Sequence, residues 1–264
     1  ISTWGTKNTE LGFFAEQFAC EYTDGIILGY SSEAAEILKK HHNIKCSILE
    51  FHSYPCKEFF ADKSSRFNNC LVYGGTVYPK NCEKIFSSYQ LYDLIKVITK
   101  QNFYFDVYAS PHISSVSFEK HFTDYFNFAT RDGYFKFHKG ILPTEAPKVF
   151  SQYDFGVLVY FFKGDLNNPV NSHNKIRLPN KIFFYIEAGL PIIISKEFEY
   201  ASRLVKEFEI GIVVSQNDIY NLSAIIPTYD YKKLRNNVLA ARNKLSMETH
   251  INRLLQFYEE VVKT

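Results

Sequence analysis

The chain has no run of about twenty apolar residues, so no transmembrane helix is expected in it. It does not open on a basic, then apolar, then small-residue pattern, so no signal peptide is expected either. It starts at Ile1 rather than Met, as a piece of a longer protein would. It has no charge imbalance: 30 basic residues face 28 acidic ones, a net of +2. Proteins that track phosphate backbones show a basic face, so no nucleic-acid partner is expected. Its five cysteines, Cys20, Cys46, Cys56, Cys70 and Cys82, include no CxxC pair and are odd in number. That pattern fits free thiols in a reducing compartment. The eight histidines form no HExxH and do not interleave with cysteines at zinc spacing, so no metal site is expected. His41-His42, after Lys39-Lys40, reads as a solvated helix end.

Several chemical signatures are also missing. GxGxxG, GxxxxGK[ST], GxSxG and DxD do not occur. A dinucleotide-binding oxidoreductase, a P-loop enzyme and an α/β-hydrolase thereby lose their usual markers.

What is present is a globular composition, 46% apolar over 264 residues, enough for one large or two modest domains. Leu11, Phe14, Ala15 and Phe18 recur at helical spacing. Short apolar strands are expected at Gly25–Tyr30 and Cys46–Phe51, around a helix from Ser32 to His41 capped by Ser31 or Ser32. His52–Asn69 is polar and aperiodic and reads as a linker. From Cys70 a βα rhythm begins. Strands are expected at Leu71–Tyr73, Phe103–Tyr108, Tyr134–Phe137, Phe155–Tyr160, Ile192–Ser195 and Ile210–Val214. Helices are expected at Asn81–Lys100, Val116–Phe128, Thr144 (as N-cap) to Tyr153, from Asn180, Tyr200–Glu207 and Asp218 (as cap) to Ile225. Asp230–Val262 reads as helix broken near Ser246, and Lys163–Arg177 as an Asn-rich loop. Strands that are apolar throughout are buried on both faces, and their alternation with helices predicts a doubly wound parallel sheet. Ligands sit beyond the carboxyl ends of such strands.

Three features could serve a ligand there. Gly74-Gly75-Thr76 follows a strand, where the backbone can approach a ligand closely, with Lys80 just beyond. An ordinary tight turn with a surface lysine would use the same residues. Lys175, Arg177 and Lys181 gather at a helix start, where positive charge opposes the dipole by about 0.3–1 kcal/mol each. They either hold an anion between them or face solvent. Glu187, two residues before Gly189, could reach the crevice or the surface. Gly189 is expected to stop its helix in a left-handed turn, with Pro191 opening the next strand.

The stretch LPNKIFFYIEAGLPIIIS, Leu178–Ser195, resembles the donor-site segment of retaining glycosyltransferases of the GT-B fold, the family 4-like group. HKGILPTEAPKVFSQYDFGVLVY from His138, LVYGGTVYPKN from Leu71 and ACEYTDGIILGYSSEAAEILKK from Ala19 resemble that family in order and spacing. The resemblance implies a Rossmann-like donor-binding domain over 70–245 and part of an acceptor-side α/β domain over 1–57. It further implies a linker over 58–69 and, over 246–264, a helix packing back across the domains. It implies sugar transfer from a nucleotide-sugar to a glycan or lipid-linked acceptor in surface polysaccharide or glycoconjugate synthesis. No cofactor or metal is called for. The expected location is cytoplasmic, extending to peripheral association with the inner face of the membrane. The resemblance places Gly74, Gly75, Thr76, Lys80 and Gly140 by the donor's diphosphate and base, the base lying near Phe137–Leu142. Arg177, Pro179, Asn180 and Lys181 fall at the nucleotide. The family's ribose-holding carboxylate falls at Phe184 and its partner at Ile176, so Glu187 is the substitute available. Catalytic and acceptor-binding side chains of the first domain would precede Ile1. An inactive binding scaffold of the same fold, or a sugar-nucleotide epimerase, would share these features.

Overall fold

The computed structural model describes residues 8–62, 67–80, 91–111, 117–162 and 169–263, with side chains described from 14 in the first span and from 173 in the last. The first span holds α1 (Asn8–Tyr22), β1 (Gly25–Leu28), α2 (Ser32–His41) and β2 (Ser47–Glu50). β1 and β2 pair in parallel. The strap after β2 carries a single 3₁₀ turn, Lys57–Phe59.

The main sheet has six parallel strands: β3 (Cys70–Gly75), β4 (Tyr104–Ala109), β5 (Phe135–His138), β6 (Phe155–Leu158), β7 (Ile192–Ser195) and β8 (Gly211–Val214). Their order is β5-β4-β3-β6-β7-β8. The central β6 and β7 are buried at every residue, whereas the edge strands β5 and β8 alternate. This follows from the sequence, because only strands covered on both faces can be apolar throughout. The sheet is flanked by α3 (Tyr92–Thr99), α4 (Phe118–His121), α5 (Thr123–Ala129), α6 (Ala146–Phe150), α7 (Pro169–Ile176), α8 (Lys181–Glu187), α9 (Glu199–Glu207), α10 (Leu222–Ile225), α11 (Tyr231–Lys244) and α12 (Met247–Lys263).

The chain winds outward from β3 through β4 to β5, then returns to lay β6 on the other side of β3. The switch point is therefore between β3 and β6. There the pairing is short. β3 pairs with β4 up to Gly75, but with β6 only at Leu71 and Val72. Its last three residues part from β6, and a slot opens where open α/β sheets bind ligands.

α12 runs back to the first span. Phe257 and Val261 approach Gly25 so closely that a Cβ there would meet them at 2.9 and 2.7 Å. Arg253 donates to the Glu50 carbonyl at 3.2 Å. The buried His52 shares Glu50 with Tyr200 of α9, in contacts of 2.9–3.0 Å.

Several expectations need correction. Part of the expected loop Lys163–Arg177 is helix α7, started by Pro169, whose fixed φ suits a first helical turn. α6 starts at Ala146 after Glu145, so Thr144 does not cap it; Pro147 supplies the preformed turn. Asp218 lies inside a 3₁₀ turn, Asp218–Asn221, and its carboxylate accepts from the Ser215 amide, which pulls the first turn tight ahead of α10. His42 is buried, with Nε2 2.9 Å from Glu16 of α1, because α1 covers the end of α2. Residues 81–90 of the expected Asn81–Lys100 helix, Val116 and Cys82 lie outside the described residues. Cys20, Cys46, Cys56 and Cys70 are free thiols. Among the described residues, no helix is long and apolar enough to cross a membrane.

Candidate functional site

The slot widens into a hollow of about 460 Å³, within the usual size of small-ligand sites. Gly74, Gly75 and Thr76 form one wall; Arg177, Pro179, Asn180, Lys181 and Phe184 form the other. The ends of β4 and β5 close it with Tyr108, Ala109, Pro111 and Ile141. Two stretches about a hundred residues apart in sequence thus meet across β3 and β6.

The two glycines are required by what packs on them. A Cβ on Gly74 would lie 2.3 Å from the ring of Phe150. One on Gly75 would lie 2.3 Å from Cε of Lys181, and Gly75 has φ +136°, which side chains rarely adopt. The Gly74 amide, beyond the reach of β6, donates to the Tyr185 hydroxyl at 3.2 Å, which in turn donates to the Val157 carbonyl.

Lys181 opens α8 and extends over Gly75 toward Tyr73, its Nζ 5.2 Å from the ring centroid. Among the described residues no carboxylate lies within ion-pair distance of it. The residue keeps some exposure at the mouth of the hollow, but its ammonium is stripped of water. Burial, and then the charge of Arg177, push its pKa down to about 7. Arg177 lies over the ring of Phe198, 5.1 Å from its centroid.

The other expected residues are placed elsewhere. Lys80 is exposed and sits over the ring of Tyr92, 4.7 Å from its centroid, outside the hollow's lining. Gly140 lies behind the rim, where a Cβ would meet the backbone of Pro111 at 2.3 Å; it lets the β5 loop pass the end of β4. Glu187, six residues beyond Lys181 and so about 9 Å further along the helix, turns away from the hollow. Its carboxylate accepts from the Cys56 amide at 2.9 Å, and burial raises its pKa to about 7. Lys175 pairs with Glu199 at 3.6 Å.

Tyr73, Tyr108 and Phe198 were not singled out by sequence reasoning. Each lies in or beside an apolar run, where a ring reads as core. Tyr108 stacks on His138, with centroids 4.3 Å apart. Its hydroxyl meets that of Tyr153, which donates to Asp106, and His138 contacts the same carboxylate at 2.9 Å. Among the described residues no group of three His, Cys, Asp or Glu side chains could hold a metal ion.

A family profile described as glucosyltransferase 3-like, C-terminal domain, matches residues 109–257, more than half of the chain. No curated protein sequence matches it. Solved structures do. Sucrose-phosphate synthase of Thermosynechococcus elongatus superposes with a TM-score of 0.66 at 12% identity, over 100% of this chain and 64% of the synthase. HepE of Anabaena, in complex with UDP, gives 0.66 at 13% identity, over 98% of this chain and 70% of HepE. A TarM mutant of S. aureus, in complex with fondaparinux, alpha-GlcNAc-glycerol and UDP, gives 0.59 at 14%, over 98% of this chain and 48% of TarM. The chain thus spans less than two thirds of the synthase and about half of TarM. At these identities the likeness is one of fold, and that fold is GT-B.

Proposed function

The chain belongs to the glucosyltransferase 3-like C-terminal domain family, a glycosyltransferase family, and from that membership we propose that its hollow binds the nucleotide diphosphate of a sugar donor. The sugar then passes to a glycan or lipid-linked acceptor presented from the side of the first span. A lipid-linked acceptor would bring the protein to a membrane surface. The observation that carries this reading is Lys181: a deeply set cation that has no carboxylate within ion-pair distance among the described residues and lies beside Arg177. Two like charges gathered at a concave site favour an anion between them. A diphosphate leaving group builds up negative charge as its bond to the sugar breaks, and fixed cations stabilise that charge without any metal. Retention of anomeric configuration is the resemblance's implication, and the product's anomeric signal in NMR tests it.

HepE's complex with UDP makes uridine nucleotides the first to try. The full-length protein is expected to bind UDP by calorimetry, and to transfer sugar from a UDP-sugar to an oligosaccharide acceptor. Lys181→Ala should weaken UDP binding by roughly 10- to 100-fold, the loss of one charge-assisted contact. No binding of UDP, GDP or CMP sugars by the folded protein would sink the proposal. Binding without turnover would favour the scaffold reading, and an epimerised, still nucleotide-linked product the epimerase.

A further inference from the structure

β3 and β6 do not simply drift apart at the slot. They pair at Leu71 with Phe155 and at Val72 with Gly156. Two residues further, the same register would set Gly74 opposite Leu158. The Gly156 amide faces β7, where it donates to the Pro191 carbonyl, so the next residue, Val157, faces β3. An intact parallel ladder would therefore join the Gly74 amide straight to the Val157 carbonyl. Those are the two groups that the Tyr185 hydroxyl bonds. It accepts from the Gly74 amide and donates to the Val157 carbonyl, each at 3.2 Å. A side-chain oxygen takes the place of one rung of the sheet.

The seat for this side chain is built into the strands. A Cβ on Gly156 would overlap the Tyr185 ring, so only glycine lets the ring lie on β6 there. The ring is fully buried and packs on Phe150, with centroids 5.9 Å apart. Phe150 in turn fills the space that a side chain on Gly74 would need. Burial raises the pKa of the phenol, so it stays neutral and can donate and accept at once.

Tyr185 lies four residues after Lys181 in α8, and residues so spaced share a helix face. The pair grips consecutive residues of β3. Tyr185 holds Gly74 by its amide, and the Lys181 side chain lies over Gly75. We propose that Tyr185 is a positioning residue of the anion site, its hydroxyl a spacer inserted into the β3–β6 ladder that sets the Gly74–Gly75 wall at the right distance from Lys181. This rests on the donor-site reading above. Without the hydroxyl, a buried N–H and a buried C=O are left unbonded, or close on each other as an ordinary rung. Either change moves the wall against Lys181.

The test titrates UDP, and separately inorganic pyrophosphate, into the full-length protein. Wild type is compared with Tyr185→Phe, Lys181→Ala and the double variant, each checked by thermal melting. Tyr185→Phe keeps the ring on its seat and removes only the spacer. It should bind both ligands about 5- to 20-fold more weakly. A positioning residue acts through what it positions, so in the Lys181→Ala background the same change should cost less than about threefold. A loss as large in that background as in wild type overturns the inference, and so does folded Tyr185→Phe with wild-type affinity. Wild type that binds neither ligand overturns the donor-site reading itself. If Tyr185→Phe does not fold, wild type carrying ¹³C-labelled tyrosine decides. Saturating pyrophosphate should then shift the Tyr185 Cζ resonance, and an unmoved resonance overturns the inference.

Discussion

Lys181 is the residue on which the chemistry of the hollow turns, and its burial makes that chemistry depend on pH. Its pKa is lowered to about 7 in the empty hollow, whereas in the unfolded chain it is that of an ordinary lysine. A bound diphosphate favours the ammonium, so above pH 7 binding must take up a proton. The affinity for UDP should therefore hold steady below about pH 7 and fall above it, approaching tenfold per pH unit for a single linked proton. Lys181→Arg, which cannot lose its proton, should flatten that slope, and calorimetry in buffers of different ionisation enthalpy would show the uptake vanish. For stability the sign is opposite. Between about pH 7 and about pH 10 the unfolded chain holds the proton that the native lysine has lost, so this residue makes the empty protein more stable as pH rises through that window. The meeting of the Gly74 turn with the Pro179 segment was implied by the family resemblance alone, because turn glycines and cations at a helix start are local signals and do not say which distant stretches come together. The positions of the Lys80 and Glu187 side chains and of the Gly140 backbone could not be read from sequence. Each is set by a partner from a distant element: Tyr92, Pro111 and the Cys56 amide.

α8 is charged the wrong way round for its dipole, with a cation at its first residue and a carboxylate at its last. The hollow accounts for the first and the strap for the second. Glu187 holds the Cys56 amide through its carboxylate and the Ala61 amide through its own backbone carbonyl. Its pKa is raised from 4.5 to about 7, so from about pH 4.5 to pH 7 the native state binds the proton more tightly than the unfolded chain. Stability from this group is present at low pH and is lost as pH rises through that window. Glu187→Gln, which still accepts from Cys56, should leave the melting temperature near wild type at pH 4.5 and raise it at pH 8, by roughly 1–3 kcal/mol of stability. A melting curve unchanged at both pH values would refute this account. The end of this helix was legible: Gly189 adopts φ +68°. α7 was not, because PVNSHNKI has little helical periodicity and its helix depends on packing against α9.

At the scale of the whole molecule, the first span and the six-stranded sheet are joined at a polar seam rather than by one continuous core. Glu50 ends β2 and accepts from Tyr200 of α9 at 2.5 Å, while His52 contacts both. Arg203 and Glu33 form an ion pair across the same seam. Tyr54 stacks on His250 of α12, with centroids 4.0 Å apart. Tyr200→Phe removes the half-buried hydroxyl's contacts with both Glu50 and His52 and should cost about 1–3 kcal/mol in denaturant melts. Unchanged stability would mean that the seam contributes little. The doubly wound order was legible in the alternation of apolar runs and helices. The seam was not, because its residues are scattered from Glu33 to Arg253, and Glu50 and His52, though neighbours in sequence, meet Tyr200 only across about 150 residues of chain.

The early parting of β3 from β6 has a further consequence. In an ordinary ladder the Gly74 amide would be released only when strands separate; here a phenol alone guards it. A side-chain acceptor can part from an amide without a strand separating, so this proton should trade with bulk water sooner than its neighbours along the strand, although the Tyr185 ring is itself buried. Deuterium uptake at that one position would then register whatever enters or leaves the slot, a reporter at the centre of the protein that needs no label.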